Sequence, residues 1–331
     1  MDKKREVWID YLKVFACVLV VLGHFFQSMV EASIIKANDL YSWFNITIYY
    51  FHVPLFFICS GYLYSKTCEI NSLLDWWKNI IKKLIVLGVP YLAFSTMTWI
   101  LKTVFSNSVN TQIDGLVEIL VLHPTSPYWY LYCLILLFIV TPFNKKNTSW
   151  KIVFVLAILG KILSCYGIAV GVYAIDTILA NEIWFVIGIM LTVFSENLKV
   201  FNTANAMLLG VLFLILSKIV YCLDIQSGYI SFGLGVLACF SCVTFFRLRV
   251  NHEKKFLAFV SKYTMSIFLM HTIFAAAMRI ALLKIGVYNS IIHMIMGIGI
   301  SFVGPIVATK IMRKFAWMEF FINPGKYIKA K

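Results

Sequence analysis

Charge is scarce in this chain. Of 331 residues only 13% are Asp, Glu, Lys or Arg, while 61% are hydrophobic. A soluble globular domain carries about a quarter charged residues and about half apolar ones. The deficit excludes a single water-soluble core, because one interior cannot hold so large an apolar excess. Other absences narrow the reading. No repeat recurs at a fixed period, and no low-complexity tract occurs. The Cys239–Cys242 CxxC has no second pair and no nearby His cluster, so a metal site lacks its ligands. The net charge of +14 is not gathered into a basic patch or tail, which argues against a nucleic-acid partner. The N-terminus MDKKREVWIDYLKVFACVLVVLGHFF has no small-residue cleavage site, and its apolar run carries Asp10, Lys13 and His24. It is expected to be a retained first helix, not a signal peptide.

What the chain does have is long apolar runs of helical length. Spans are predicted at 7–29, 44–64, 84–105, 128–143, 152–170, 178–195, 206–222, 229–246, 260–283 and 288–309. Backbone groups in hydrocarbon must be bonded within their own segment, which favours helices over barrel strands here. The expected fold is therefore all-α and integral to the membrane, with about ten transmembrane helices in contact with lipid. Residues 1–315 form one membrane domain and 316–331 a short basic cytoplasmic tail.

The connections alternate in charge. One set contains Lys3, Lys4 and Arg5, then Lys66, Lys78, Lys82 and Lys83, then Lys145, Lys146 and Lys151, then Lys199, then Arg247, Arg249, Lys254 and Lys255, then the C-terminal Lys and Arg residues. The other set holds only Lys36 and Lys284 away from the span ends. This bias puts the first set, and both termini, in the cytoplasm. Residues 65–83, with LLDWWKNIIKKL, read as an amphipathic interfacial segment, Trp76 and Trp77 suiting the headgroup level. Residues 106–127 form the largest outer loop, with a short helix expected over Ile113 to Leu122.

Cys17, Cys59, Cys133 and Cys239 lie in apolar runs and read as small buried hydrophobes. Ionisable residues inside spans are costly and are the first functional candidates. In the first span Lys13 and His24 are 11 positions apart. At 100° per residue this puts them on one face, about 16 Å apart along the axis. Asp10 is placed to pair with Lys13. In the second span, FHVPLFFICSGYL, Pro54 frees a backbone carbonyl beside His52, and Ser60 and Gly61 permit close approach of a backbone or a ligand. Lys161 and Glu182 are candidates for a structural ion pair, and His271 sits mid-span in SKYTMSIFLMHT. The bland readings are that Lys13 snorkels to the interface, that His24 caps its helix, and that His52 and His271 hydrogen-bond within the bundle.

Five segments in register resemble the acyltransferase-3 family of membrane O-acyltransferases. IDYLKVFACVLVVLGH resembles its first-helix pattern of a basic residue, ten positions, then His; FHVPLFFICSGYLY resembles its "PlFFxxSGyl" element. WWKNIIKKLIVLGVPY, YWYLYCLILLFIVTPF and SKYTMSIFLMH resemble its basic cytoplasmic stretch, its "WFL" span and its late "SysiYLiH" helix. The resemblance covers nearly the whole chain. It implies that His24 is the family's essential histidine and Lys13 its first-helix basic residue. Lys78, Lys82 and Lys83 stand for its basic stretch, and Ser60 and Gly61 for its SG pair. Lys replaces the frequent Arg at these basic positions, so contacts that need the guanidinium fork are in doubt. The esterase-like extracytoplasmic domain that some relatives carry is not expected here.

The resemblance further implies an acyl donor, usually cytoplasmic acetyl-CoA, and a hydroxyl acceptor on a cell-surface or lipid-linked glycan, with no metal. The setting it implies is the bacterial cytoplasmic membrane. Lys78, Lys82, Lys83 and Lys13 would meet the CoA phosphates. His24 would act as general base on the acceptor hydroxyl, or would itself carry the acyl group. Ser60 or a backbone N–H near Pro54 are the oxyanion candidates. The rival reading is a transporter or flippase, which intramembrane His, Lys and Glu would suit. No inverted repeat or paired broken helices support it.

Overall fold

The computed structural model describes residues 6–68, 70–106, 113–141, 149–194, 202–250 and 253–328. Among them are 13 α-helices and no strand. The helices are α1 (Val7–Glu31), α2 (Asp39–Tyr49), α3 (His52–Thr67), α4 (Leu73–Val104), α5 (Trp129–Val140), α6 (Ser149–Cys165), α7 (Tyr173–Val193), α8 (Thr203–Cys222), α9 (Gly228–Arg249), α10 (Lys255–Ser261), α11 (Thr264–Lys284), α12 (Ser290–Met312) and α13 (Ala316–Ile322). A π-helical turn spans Glu118–Leu122, inside the stretch expected to be a short helix, and a 3-10 turn spans Pro324–Tyr327.

Each of the ten predicted spans overlaps helix, but 44–64 is divided between α2 and α3 and 260–283 runs across the α10–α11 junction, while the ends of 128–143 and 178–195 lie outside the described residues. Eight stretches are long and apolar enough to cross a membrane: α1, α2 with α3, α4, α7, α8, α9, α11 and α12. The other two, α5 with 12 residues and α6 with 17, are shorter. Met207, Leu208, Val211, Leu212, Leu214 and Ile215 on α8 are all exposed, as are Ile152, Val155, Leu156 and Leu159 on α6. Apolar faces this continuous are unstable in water and stable in lipid. The chain is an all-α integral membrane protein. Of the loop cations used above, Lys3, Lys4, Arg5, Lys145, Lys146, Lys199, Lys329 and Lys331 lie outside the described residues.

The chain divides into two compact bodies. The first comprises residues up to Leu19, Asp39–Ser72 and Thr141–Lys262. Within it the α2–α3 break follows from Pro54. Proline has no N–H to offer the carbonyl of Tyr50, four residues earlier. That carbonyl sits against Gly235 of α9, where a Cβ would come within 2.6 Å of it. His52 closes the break by donating from Nδ1 to the Ile48 carbonyl at 2.6 Å. Beyond the break, α3 runs along α7 on glycines from both sides. A Cβ at Gly61 would overlap the Phe185 carbonyl, and one at Gly188 would overlap the Ile58 carbonyl. In lipid, helices associate through this kind of close van der Waals approach.

Lys161 and Glu182, candidates for an ion pair, do not pair. Lys161 donates to the Ala180 carbonyl at 3.0 Å and lies over the Trp184 and Phe232 rings. Glu182 accepts from Thr141 Oγ1 at 3.1 Å. Each is hydrogen-bonded to a different neutral group, so neither depends on the other. All eight cysteines are free thiols, with Cys17, Cys59, Cys133 and Cys239 buried.

The second body comprises Val20–Asn38, Leu73–Val140 and Tyr263–Lys331. The segment read as amphipathic over 65–83 is not an element of its own. Its first residues finish α3, and Leu73 onward begins α4, a single helix of 32 residues that continues past Pro90. Nothing between Trp76 and Leu84 stops a helix once it has started. At 1.5 Å per residue α4 is about 48 Å long, more than the roughly 30 Å of a hydrocarbon core.

The stretch expected as a plain basic tail is folded from Ala316 to Tyr327. Glu319, only 6% exposed, accepts from Lys326 Nζ at 2.7 Å and from Tyr327 Oη at 2.9 Å. The Lys326 and Tyr327 hydrogen bonds hold its carboxyl below the ordinary value of 4.5. A depressed carboxylate stabilises the fold fully above its unfolded value, and this is lost as pH falls through the lower folded value. Amide exchange over residues 316–327 is expected to quicken as pH is lowered through that acid range, after correction for intrinsic rates. Glu319→Gln should show the quickened exchange already at neutral pH. An unchanged variant would mean that this cluster does not fasten the segment.

Candidate active site

His24 lies on α1, three turns beyond Lys13, and is half-buried. Its Nε2 is 3.3 Å from Ser126 Oγ, on the loop that leads into α5. Two residues later that loop is anchored by Tyr128, which is fully buried. Tyr128 Oη donates to the Leu269 carbonyl of α11 at 2.9 Å and pairs with Thr98 Oγ1 of α4 at 2.8 Å. The phenol's single proton goes to the carbonyl, so Thr98 is the donor in the second bond. One buried ring therefore ties the loop to two helices and holds Ser126 beside α1.

Helix α11 brings the second histidine. His271 is 1% exposed, and its ring centroid lies 5.4 Å from that of His24. His271 Nδ1 is 3.0 Å from the Ile267 carbonyl and 2.9 Å from that of Phe268. Carbonyls only accept, so Nδ1 carries the proton. In the neutral ring Nε2 is then a lone pair. It is buried and has no hydrogen-bond partner among the described residues. Leaving such a group unsatisfied costs about 1–3 kcal/mol. The α1–α11 contact is fixed one turn further along α1 and one to two turns further along α11. There the Arg279 guanidinium donates to the Ser28 carbonyl at 3.0 Å and to its hydroxyl, and Phe25, Met29 and Ala275 cluster.

The other expected site residues are placed as follows. Lys78 and Lys82 are exposed on the first turns of α4; Lys83 is half-buried, with Nζ 4.3 Å from the Phe138 ring centroid. In the first body Lys13 and Asp10 are half-buried. His52 serves the helix break, Gly61 lies against the α7 backbone, and Ser60 is half-buried. Of these residues the second body brings His24 and His271 together. Sequence reasoning did not find Ser126, Tyr128 or Thr98, which are ordinary polar residues until folding joins them. Among the described residues no three His, Cys, Asp or Glu side chains are grouped to hold a metal ion.

A hydroxyl, a half-buried imidazole and a second, anchored imidazole form an arrangement suited to moving protons on and off oxygen. The comparisons with known proteins agree with that chemistry. The acyltransferase-3 family model, described as an acyltransferase domain, matches residues 6–310. The nodulation protein NolL of Mesorhizobium japonicum is 28% identical over 147 residues, covering 43% of this chain and 38% of its own length. NolL of Sinorhizobium fredii is 28% identical over 141 residues, covering 41% and 36%. The matches thus span well under half of these curated relatives. No solved structure matches the chain. The chain belongs to the acyltransferase-3 family.

Proposed function

We propose that the protein transfers an acetyl group from cytoplasmic acetyl-CoA to a hydroxyl of a cell-surface or lipid-linked glycan, in the bacterial cytoplasmic membrane. The observation that carries this reading is His24, hydrogen-bonded to a hydroxyl and set beside His271 inside a family-matched membrane domain. The alternating loop charges support a cytoplasmic position for both termini. Lys78, Lys82 and Lys83, on the same side, receive the phosphates of CoA, and Lys13 adds charge on the first half of α1. His24 acts as the base that takes a proton from the attacking hydroxyl.

Purified protein given radiolabelled acetyl-CoA and surface glycan from the same cells is expected to label the glycan as an ester. Uptake of a solute without acyl transfer would replace this reading with a transporter. Charge reversal of Lys82 and Lys83 together should raise the acetyl-CoA concentration at half-maximal rate about tenfold or more, as charge-assisted contacts are lost. An unchanged donor requirement would remove these lysines from the donor site.

A further inference from the structure

We propose that Ser126 carries the acyl group between donor and acceptor, with His24 as its base and His271 as the residue that positions that base. The proposal rests on the acetyltransferase reading above and adds a covalent intermediate to it.

Ser126 Oγ and His24 Nε2, at 3.3 Å, stand at the separation of a nucleophile–base pair before substrate draws it tight. If the hydroxyl donates to Nε2, the proton of the His24 ring sits on Nδ1. His271 has the complementary polarity. Its Nδ1 proton is committed to the Ile267 and Phe268 carbonyls, and its buried Nε2 lone pair has no partner among the described residues. Two imidazoles joined nitrogen to nitrogen have ring centres about 5 Å apart, and these two are 5.4 Å apart. His271 is thus placed to orient His24 and to share the charge that develops when His24 accepts a proton. Exposure fits the same assignment: Ser126 is open while His271 is sealed. The nucleophile can meet substrate, and the far side of the base is kept dry.

The chemistry balances without a further reactant. Ser126 Oγ attacks the thioester carbonyl carbon as its proton passes to His24 Nε2. The C–S bond breaks, and the CoA sulfur takes the proton and leaves as a free thiol. An acceptor hydroxyl next gives its proton to His24 and attacks the Ser126 ester. The ester bond to Oγ breaks, Oγ recovers the proton, and the acceptor leaves acetylated.

The full-length protein, incubated with radiolabelled acetyl-CoA and no acceptor and then quenched in acid, should carry label on the peptide containing Ser126. That label should move to glycan on chase. Ser126→Ala should lose both labelling and transfer by at least a hundredfold. Ser126→Cys should regain label as a thioester that neutral hydroxylamine releases. His271→Gln should shift the pH dependence of labelling, which a merely structural loss would not do. Label on His24, or full transfer by Ser126→Ala, would overturn the proposal. Wild-type protein that transfers acetyl in a single sequential step with no labelled intermediate would overturn it while leaving the proposed function intact. Wild-type protein with no transfer at all would overturn the acetyltransferase reading itself.

Discussion

Replacing His24 with alanine is expected to abolish acyl transfer while the protein still folds and accumulates normally. The imidazole is the one group on α1 that is hydrogen-bonded to a hydroxyl and adjacent to a second, anchored imidazole. Removing a positioned general base costs about 10²–10⁴-fold in rate. If the same base also activates a serine, the losses do not add, because the dyad acts as one unit. The fold does not depend on this ring. The buried face of α1 is built from Trp8, Leu12, Ala16, Val20, Val21, Phe25 and Met29, and the α1–α11 contact is fastened by Arg279 and Ser28. Alanine is also the best helix former, so the backbone of α1 gains slightly. The measurement is radiolabel transfer per folded molecule, with the folded fraction read from size-exclusion elution in detergent. Full activity in His24→Ala would end the mechanism, whatever the acceptor proves to be.

Hydropathy and loop charge made the fold legible because the membrane imposes its own period on a sequence. Runs of about 20 apolar residues have one stable solution in lipid, so every predicted span came back helical, the second and ninth in two pieces. Pro54 announced its break for a similar reason, since a missing N–H has a local consequence at Tyr50. Where the outcome turned on competition between distant groups, the sequence was silent. Lys161 and Glu182 looked like partners by charge, yet each is hydrogen-bonded to a neutral group elsewhere. Helix α4 extends through a stretch that reads as interfacial because an amphipathic pattern does not say where a helix ends. Ser126 meets His24 across 102 residues of chain, and a serine in a polar loop carries no local mark of that meeting. The histidines could be singled out because ionisable groups are rare in spans; a hydroxyl in a loop has no such rarity.

Gly61→Ala and Gly188→Ala are each expected to destabilise the first body strongly, which separates the packing role of Gly61 from any catalytic one. The residue stands in an SG pair that permits close approach of a backbone or a ligand, and what approaches is the backbone of α7. A Cβ on Gly61 meets the carbonyl of Phe185, and a Cβ on Gly188 meets the carbonyl of Ile58 and the amide of Tyr62. Ile58, Gly61 and Tyr62 lie on one face of α3, and Phe185 and Gly188 on one face of α7, so the contacts form a single seam. The opposing atoms are backbone, and no rotamer change relieves them. The helices must separate, and every van der Waals contact along the seam weakens with them. Overpacking of this kind costs about 1–3 kcal/mol and occasionally more. No hydrophobic gain offsets it, because lipid is as apolar as the added methyl. Gly233 of α9 supplies the control, since a Cβ there meets nothing within 4 Å. Gly233→Ala should be neutral or slightly stabilising, as alanine is favoured over glycine in a helix by about 1 kcal/mol. Thermal unfolding in detergent should therefore rank Gly61→Ala and Gly188→Ala well below wild type and Gly233→Ala at or above it. The double variant should fall by less than the sum of the singles, because one separation of α3 from α7 relieves both clashes. If Gly61→Ala unfolds at the wild-type temperature yet loses activity, the glycine serves the reaction and not the seam.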